Sequence, residues 1–238
     1  MSHKESEEIL VLYGSQTGNS EQAAIDISDQ IGDKLSSECK TYTSRHMQLD
    51  DFLEIEDAKW TRNVIIVTSS YGVGQAPLGC YRFRAFCDVI LNEKEKYSKL
   101  LDGIHFAMLG LGDSRYTTFF QNPTALNEAM LSAGAIRIGE LGKADAKGKD
   151  ENKQDKVILR WIEDIWDPMK EFLGTQPQLT DTMEEKLKDI QSNTLAISRK
   201  VLPSDNEDQP VSKNKNLPIA FFGISILVVL VAFFLKLM

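Results

Sequence analysis

Short apolar runs alternate with amphipathic stretches along the first 175 residues. The apolar runs predict strands at 7–14, Asn63–Ser70, Ile104–Gly112 and Ala135–Gly142, with a weaker strand at Cys39–Thr43. Helices are predicted after Asn19 or Ser20 and at Cys80–Leu91, Thr124–Ala133 and Gln154–Leu173. This alternation predicts an α/β fold with a doubly wound, five-stranded parallel sheet in residues 1–175. A ligand is expected beyond the carboxyl ends of the strands, where the chain changes its winding direction.

The composition changes after Leu173, where Pro, Ser, Asn and Asp become frequent. Apolar residues at helical spacing predict a helix at Thr182–Val201 within this stretch. We interpret residues 176–216 as a linker that is partly helical, and favour a partly ordered spacer over a packed element.

The last part of the chain is strongly apolar. Residues 217–235 contain no charged side chain, and 19 residues at about 1.5 Å each reach about 29 Å, close to the thickness of a bilayer core of about 30 Å. We therefore expect residues 217–238 to form a transmembrane helix that acts as a tail anchor. Lys213 and Lys215 precede this span, which favours a globular part in the cytosol. The apolar span followed by Lys236 favours the endoplasmic reticulum over the mitochondrial outer membrane.

The net charge and the composition limit the classes of function that this chain can have. The net charge of −8 lies within residues 1–175, because the remaining residues carry seven basic and seven acidic side chains. An acidic globular part disfavours nucleic acid and favours a partner with a basic docking face, for which Asp150, Glu151 and Asp155 are the better candidate contacts.

The three cysteines lack CxxC spacing, so reduced thiols are expected. The three histidines form no metal motif, and the N-terminus does not predict a signal peptide.

Three loops follow strands where the architecture predicts a ligand. The first loop, Gly14–Ser20, offers hydroxyl groups and the N–H groups of a helix start, and it lacks the lysine of a P-loop and the spacing of GxGxxG. It is therefore suited to a phosphate monoester bound without a cationic side chain. An ordinary strand-to-helix turn is the alternative.

Aromatic residues stand in the other two loops. The second loop, Thr68–Pro77, carries Tyr71 beside Gly72 and Gly74, and the third loop, Leu109–Phe119, carries Tyr116. Glycine lets a backbone approach a ligand closely, and tyrosine provides a flat face for stacking. Two tyrosines on neighbouring strand ends beside a phosphate loop predict the walls around a flat ring.

The motifs GSQTGNSEQAA, TSSYGVGQAP and LGLGDSRYTTF, in this order, resemble the flavodoxin-type FMN domain of diflavin reductases, the group of cytochrome P450 reductase and methionine synthase reductase. ELGKAD and RWIEDIWDPM extend the similarity, which covers about residues 8–173. Val73 and Gln75 depart from the acidic residues that the family usually carries in the second loop. The resemblance implies FMN as the cofactor, with Ser15–Ser20 at the phosphate and Tyr71 and Tyr116 beside the isoalloxazine. It further implies that the FMN site comprises Ser15, Gln16, Thr17, Gly18, Asn19, Ser20, Ser69, Ser70, Tyr71, Gly72, Gly74, Leu111, Gly112, Asp113, Tyr116, Phe119 and Asp145.

Three functions fit these observations. The first is a membrane-anchored electron carrier, whose FMN is reduced by a separate NAD(P)H-dependent flavoprotein reductase and oxidised by a redox protein at the membrane. This interpretation assigns no catalytic side chain. The second is an FMN-dependent enzyme that takes hydride directly from NAD(P)H and reduces a quinone-type acceptor. The third is a flavodoxin fold without a cofactor that acts as an interaction module. Fold alone does not choose among them.

Overall fold

The computed structural model describes residues 5–55 and 58–201, and the structural statements that follow concern those residues. The strands are β1 (Glu5–Gly14), β2 (Lys40–Gln48), β3 (Asn63–Ser69), β4 (His105–Gly112), β5 (Ile136–Arg137) and β6 (Gly142–Asp145). The helices are α1 (Asn19–Leu35), α2 (Leu49–Glu54), α3 (Tyr81–Asn92), α4 (Lys94–Tyr97), α5 (Gln121–Ser132), α6 (Gln154–Thr175) and α7 (Asp181–Val201), with a 3-10 turn at Asp150–Asn152.

The strands form one parallel sheet in the order β2-β1-β3-β4-β5, and β6 also pairs with β4. From β1 the chain winds outward to β2, and from β3 it winds in the opposite direction to β4 and β5. The reversal lies between β1 and β3, so the ligand crevice is expected beyond their carboxyl ends. The predicted doubly wound α/β sheet is confirmed.

Alternating side chains of the central strands build two apolar cores. Ile9 and Val11 of β1 pack with α1 and α6 on one face of the sheet. Leu10 and Leu12 pack with α2, α3, α5 and α7 on the other face. β3 is buried along nearly its whole length because helices cover both faces, which explains its continuous apolar sequence.

The fifth predicted strand is divided in the structure. β5 pairs with the start of β4, at His105 and Phe106, whereas β6 pairs with its end, at 109–112. Gly139 between them has a φ of +65°, a left-handed conformation that takes the chain out of the ladder. The prediction of one continuous strand at Ala135–Gly142 is therefore wrong, and β6 extends the sheet as far as Asp145.

Helix α7 packs against the core, contrary to the favoured spacer interpretation of this segment. Its buried residues Ile190 and Ile197 belong to the same apolar core as α3. The indole Nε1 of Trp60 donates to Thr194 Oγ1 at 3.1 Å, and the Trp60 backbone N–H donates to Gln191 Oε1 at 3.3 Å. The contact face of α7 thus combines apolar and polar side chains, which is why its apolar pattern alone did not indicate burial.

A buried polar cluster closes the amino-terminal end of the sheet. The Glu7 carboxylate accepts hydrogen bonds from Arg62 Nη2 at 2.7 Å and Asn63 Nδ2 at 2.9 Å, and it lies 2.7 Å from Lys40 Nζ. Arg62 also donates from Nη1 to the carbonyl oxygen of Pro177 at 2.8 Å. The cluster therefore ties the connection between α6 and α7 to the sheet.

The described part of the chain includes no helix with the length and hydropathy that a membrane span requires. The predicted transmembrane helix at 217–238 and the predicted linker beyond Val201 lie outside the described residues.

Candidate functional site

The first loop is held by hydrogen bonds within itself and to Leu78, the residue that follows the second loop. Gly18 has a φ of +92° and donates its N–H to Ser15 Oγ at 3.0 Å, which turns the chain into α1. Ser15 N–H donates to the carbonyl oxygen of Leu78 at 3.0 Å, and Leu78 N–H donates to Gln16 Oε1 at 3.2 Å. The N–H groups at a helix start have no partners within the helix, so they are free to bind an anion. The loop therefore presents α1 as an anion-binding helix start.

The environment of Ser20 shows whether the first loop fits a phosphate group. Its side-chain oxygen is buried, with only 1% of the residue exposed, and it has no hydrogen-bond partner among the described residues. Ser20 also lines the cavity described below. An unpaired buried hydroxyl costs about 1–3 kcal/mol, and a phosphate oxygen would satisfy it. The orphaned hydroxyl thus fits the FMN phosphate that the sequence predicts at this position.

The second loop forms a tight hairpin next to the cavity. Tyr71 and Gln75 exchange two backbone hydrogen bonds, of 2.9 and 2.8 Å. Gly72 and Gly74 have φ values of +52° and +86°, and a Cβ atom at Gly74 would lie 2.9 Å from Thr118 Cβ. Glycine is therefore required at Gly74 both by conformation and by space. The hairpin leaves Tyr71 47% exposed.

Asn122, the second residue of α5, supports the strand end that leads into this hairpin. Its backbone N–H donates to Ser70 Oγ at 3.0 Å, and its buried side-chain amide donates to the carbonyl oxygen of Ser69 at 3.0 Å. Ser70 N–H donates to the carbonyl oxygen of Leu111 at 3.0 Å, which joins the second and third loops. These bonds fix Ser69 and Ser70 where the sequence predicts cofactor contacts.

The third loop carries an ion pair and the second tyrosine. Both Asp113 carboxylate oxygens lie 2.9 Å from Arg115 Nε, and one of them also accepts from Arg115 Nη2. The Arg115 hydrogen bonds hold the pKa of Asp113 below its ordinary value, so Asp113 is ionised at neutral pH. Tyr116 is 56% exposed, and Phe119 packs against Phe120 with ring centroids 5.6 Å apart.

Asp145 stabilises the third loop from the end of β6. Its Oδ1 accepts the backbone N–H groups of Ser114 and Lys147, each at 2.9 Å. Burial raises the pKa of Asp145, but these hydrogen bonds outweigh burial and leave the pKa below its ordinary value. Asp145 therefore orders the loops around the cavity.

The three loops, together with Ala146 and Gln154, line a cavity of about 420 Å³ at the carboxyl edge of the sheet. This volume is within the range of roughly 300–1,000 Å³ that is typical of small-ligand sites. Of the residues predicted for the FMN site, those that line the cavity are Gln16, Thr17, Asn19, Ser20, Ser69, Ser70, Tyr71, Gly72, Leu111, Gly112, Asp113, Tyr116 and Phe119. Ser15, Gly18, Gly74 and Asp145 are not among the lining residues, and the bonds described above place them in the supporting loops.

Three lining residues were missed by the sequence analysis: Thr118, Ala146 and Gln154. Thr118 lies inside the quoted third-loop motif, so proximity to Tyr116 was a usable signal. Ala146 follows Asp145 and enters the cavity because β6 extends farther than predicted. Gln154 is the first residue of α6, and no motif marks it. Only the packing of α6 beside α1 brings Gln154 to the site.

Positive and negative charges balance in the loops around the cavity. The first and second loops contain no charged residue, and the third loop contains Asp113 and Arg115. The fourth loop, residues 145–153, contains three acidic and three basic residues. Glu151 of the predicted acidic docking group pairs with Lys156 at 2.8 Å. The net charge of −8 is therefore carried elsewhere, and the loops around the cavity are neutral as a set.

The three cysteines are not among the residues that line the cavity. Cys39, Cys80 and Cys87 are free thiols, and burial raises the pKa of Cys80 to about 12. Within residues 5–55 and 58–201, no group of three or more His, Cys, Asp or Glu side chains is placed to hold a metal ion.

Comparisons with known proteins identify the family. The flavodoxin family model matches residues 11–159. Pyruvate dehydrogenase [NADP(+)] of Cryptosporidium parvum is 32% identical over 66% of this chain and 8% of that protein. NADPH–cytochrome P450 reductase of Saccharomyces cerevisiae is 30% identical over 71% of this chain and 22% of that protein. A solved structure of a cysteine-to-serine mutant of flavodoxin from Pseudomonas aeruginosa is 18% identical, with a TM-score of 0.50 over 68% of this chain and 99% of that structure, and shows the same fold.

These findings define the class of protein. The chain belongs to the flavodoxin family, with homologues among the diflavin reductases. Family membership identifies FMN as the cofactor and electron transfer as the general role. The chain spans less than a quarter of the length of the two curated relatives described above.

Proposed function

We propose that this protein is a membrane-anchored FMN-binding electron carrier. It would receive electrons from a separate NAD(P)H-dependent flavoprotein reductase and pass them to a redox protein at the membrane. The observation that carries the proposal is the form of the cavity: Tyr71 and Tyr116 both line it and are about half exposed. A ring between them would be held on its faces while its edge stays within reach of another protein.

Different residues would bind the phosphate and the isoalloxazine of FMN. The first loop would hold the phosphate through the N–H groups of α1 and the hydroxyls of Thr17 and Ser20. Tyr71 and Tyr116 would stack on the isoalloxazine and exclude water from its faces. When bound, FMN supplies the redox chemistry, and the protein supplies binding, orientation and electrostatics.

A direct NAD(P)H oxidoreductase with a quinone-type acceptor is the second candidate. It would need a nicotinamide against one open face of the ring. Tyr71 and Tyr116 line the cavity from two different loops, so they would obstruct such a site. A cofactor-free interaction module is disfavoured by the family and by the unpaired buried hydroxyl of Ser20.

The membrane part of the proposal rests on the sequence. Residues 217–235 are uncharged and long enough for a bilayer core, and the globular part would stay in the cytosol. The endoplasmic reticulum is the favoured membrane. An acceptor in the same membrane would then be found by diffusion in two dimensions.

The source of electrons that reduces the flavin distinguishes an electron carrier from a direct NAD(P)H oxidoreductase. The full chain is purified in detergent, loaded with FMN and mixed anaerobically with NADPH, with and without the NADPH–cytochrome P450 reductase of Saccharomyces cerevisiae as a donor. A carrier keeps its oxidised flavin spectrum with NADPH alone and is reduced when the reductase is added. Rapid reduction by NADPH alone would establish the direct oxidoreductase instead. Failure to bind FMN would leave only the interaction module.

A further inference from the structure

We propose that Gln154 is a positioning residue of the FMN site, which holds the first loop in its phosphate-binding conformation. The inference rests on the proposed assignment of the first loop to the FMN phosphate. Gln154 begins α6, far in sequence from the three motif loops, yet its side chain lines the cavity together with Thr17 and Asn19.

The side-chain amide of Gln154 joins three parts of the site. Its Nε2 donates to the carbonyl oxygen of Gly112 at 3.2 Å and to that of Ala144 at 3.1 Å. Its Oε1 accepts from Asn19 Nδ2 at 3.2 Å. Gly112 ends β4, Ala144 lies in β6, and Asn19 begins α1. One side chain therefore connects the phosphate end of the cavity to two strand ends of the sheet.

The carbonyl partners determine which way the amide faces. A backbone carbonyl oxygen can only accept a hydrogen bond, so the Gln154 NH₂ group must face Gly112 and Ala144. The amide oxygen then faces Asn19 and can be matched only by a donor, which is the Asn19 NH₂ group. The pairing of Gly112 with Asp145 and Leu111 with Ala144 makes the two carbonyls part of the sheet. The sheet thus fixes the orientation of the Gln154 amide, and the Gln154 amide in turn fixes the side chain of Asn19.

Neutrality is the second requirement at this position. The FMN phosphate carries about −1.5 to −2 charges at neutral pH. A carboxylate in place of the amide would lose both donated hydrogen bonds, face two carbonyl oxygens and repel the phosphate. Glutamine combines the required donors with zero charge, whereas the nearly isosteric glutamate would oppose the ligand.

Two substitutions separate these effects. Gln154→Met keeps the length of the side chain and removes its hydrogen bonds, and Gln154→Glu adds the charge. Gln30 is a matched control, because it is also half-buried and donates from Nε2 to a backbone carbonyl oxygen, that of Asp26 at 2.8 Å, in the middle of α1. Gln30→Met and Gln30→Glu repeat the two changes away from the cavity. Dissociation constants of FMN and of riboflavin are measured by fluorescence titration of the apoprotein, together with its melting temperature.

For Gln154→Met we expect the FMN dissociation constant to rise about five- to twentyfold, because all three hydrogen bonds of the amide are lost and the one to Asn19, of modest net strength, supports the first loop. Riboflavin binding should change less than about threefold, since riboflavin lacks the phosphate. For Gln154→Glu we expect a rise of about a hundredfold for FMN and again little change for riboflavin. Both Gln30 variants should bind both flavins as the wild type does.

Equal losses for FMN and riboflavin, with a lowered melting temperature, would overturn the proposal and show that Gln154 supports only the fold. Unchanged FMN binding in Gln154→Met would also overturn it. A wild-type protein that fails to bind FMN would refute the proposed function itself. If the wild type binds FMN much more tightly than riboflavin and Gln154→Met binds FMN as tightly as the wild type does, only the positioning role is refuted.

Discussion

The packing of α7 yields the sharpest prediction about stability. Ile190 is buried in the apolar core, on a helix whose segment the sequence favours as a spacer. Truncation of a buried Ile to Ala removes apolar contacts and leaves a cavity, at a cost of about 2–5 kcal/mol. Native domains are stable by only about 5–15 kcal/mol, so Ile190→Ala should remove a large fraction of the free energy of unfolding.

Trp60 provides a second, polar test of the same contact. Thr194→Val keeps the shape of the side chain but leaves the buried Trp60 Nε1 without its acceptor, which costs about 1–3 kcal/mol. Ser192→Ala is the matched control, because Ser192 is exposed on the same helix and its hydroxyl contacts only the backbone of α7. It should change the free energy of unfolding by less than about 0.5 kcal/mol.

The assay is equilibrium unfolding in urea of the apoprotein, in a chain that ends at residue 203 and so retains every described residue. Midpoints and slopes are compared among the wild type and the three variants. If Ile190→Ala and Thr194→Val unfold at the same urea concentration as Ser192→Ala, α7 contributes nothing to the stability of the fold. The reasoning about its packing would then be refuted.

Further predictions concern the cofactor, the buried ion cluster and the membrane. Thr17→Ala should weaken FMN binding much more than riboflavin binding in a fluorescence titration, and equal losses would contradict the phosphate assignment. Tyr116→Ala should raise the FMN dissociation constant several-fold to tenfold, because stacking contributes about 0.5–1.5 kcal/mol beyond area burial; an unchanged titration would place Tyr116 outside the ring site. Burial raises the pKa of Glu7, but the hydrogen bonds and charges of Arg62 and Lys40 lower this pKa by more than burial raises it. The pKa of Glu7 in the folded protein therefore lies below its unfolded value. Glu7 therefore stabilises the fold above the unfolded pKa and loses this effect as the pH falls through the folded pKa. Glu7→Gln should be less stable than the wild type by about 3–5 kcal/mol at pH 7, with a gap that narrows below about pH 4 in urea unfolding, and a gap independent of pH would rule out the charge as the cause. Deletion of residues 213–238 should release the protein from membranes with its flavin spectrum intact, as sedimentation and absorbance would show; a truncated protein that aggregates would place this segment in the fold.

The sequence by itself determined the central strands and the chemistry of their loops. β1, β3 and β4 are covered on both faces, so their apolar runs are continuous and their bounds agree with the prediction to within a few residues. The loops that follow them converge because parallel strands all end at the same edge of the sheet. The positions of the loops after these strands were therefore enough to predict where the site lies, and the resemblance of the loop motifs to flavodoxin-type FMN domains implied most of the residues that line the cavity.

Tertiary structure decided the features that depend on contacts between distant residues. The positive φ of Gly139 divides the last strand, and glycine in a sequence does not reveal which conformation it adopts. α7 packs through hydrogen bonds from Trp60 to polar residues that look solvent-facing in sequence. Gln154 reaches the cavity because α6 packs beside α1, and its partners are two carbonyl oxygens and Asn19. A hydrogen bond to the backbone requires only a position in space, so no residue pattern along the chain marks it in advance.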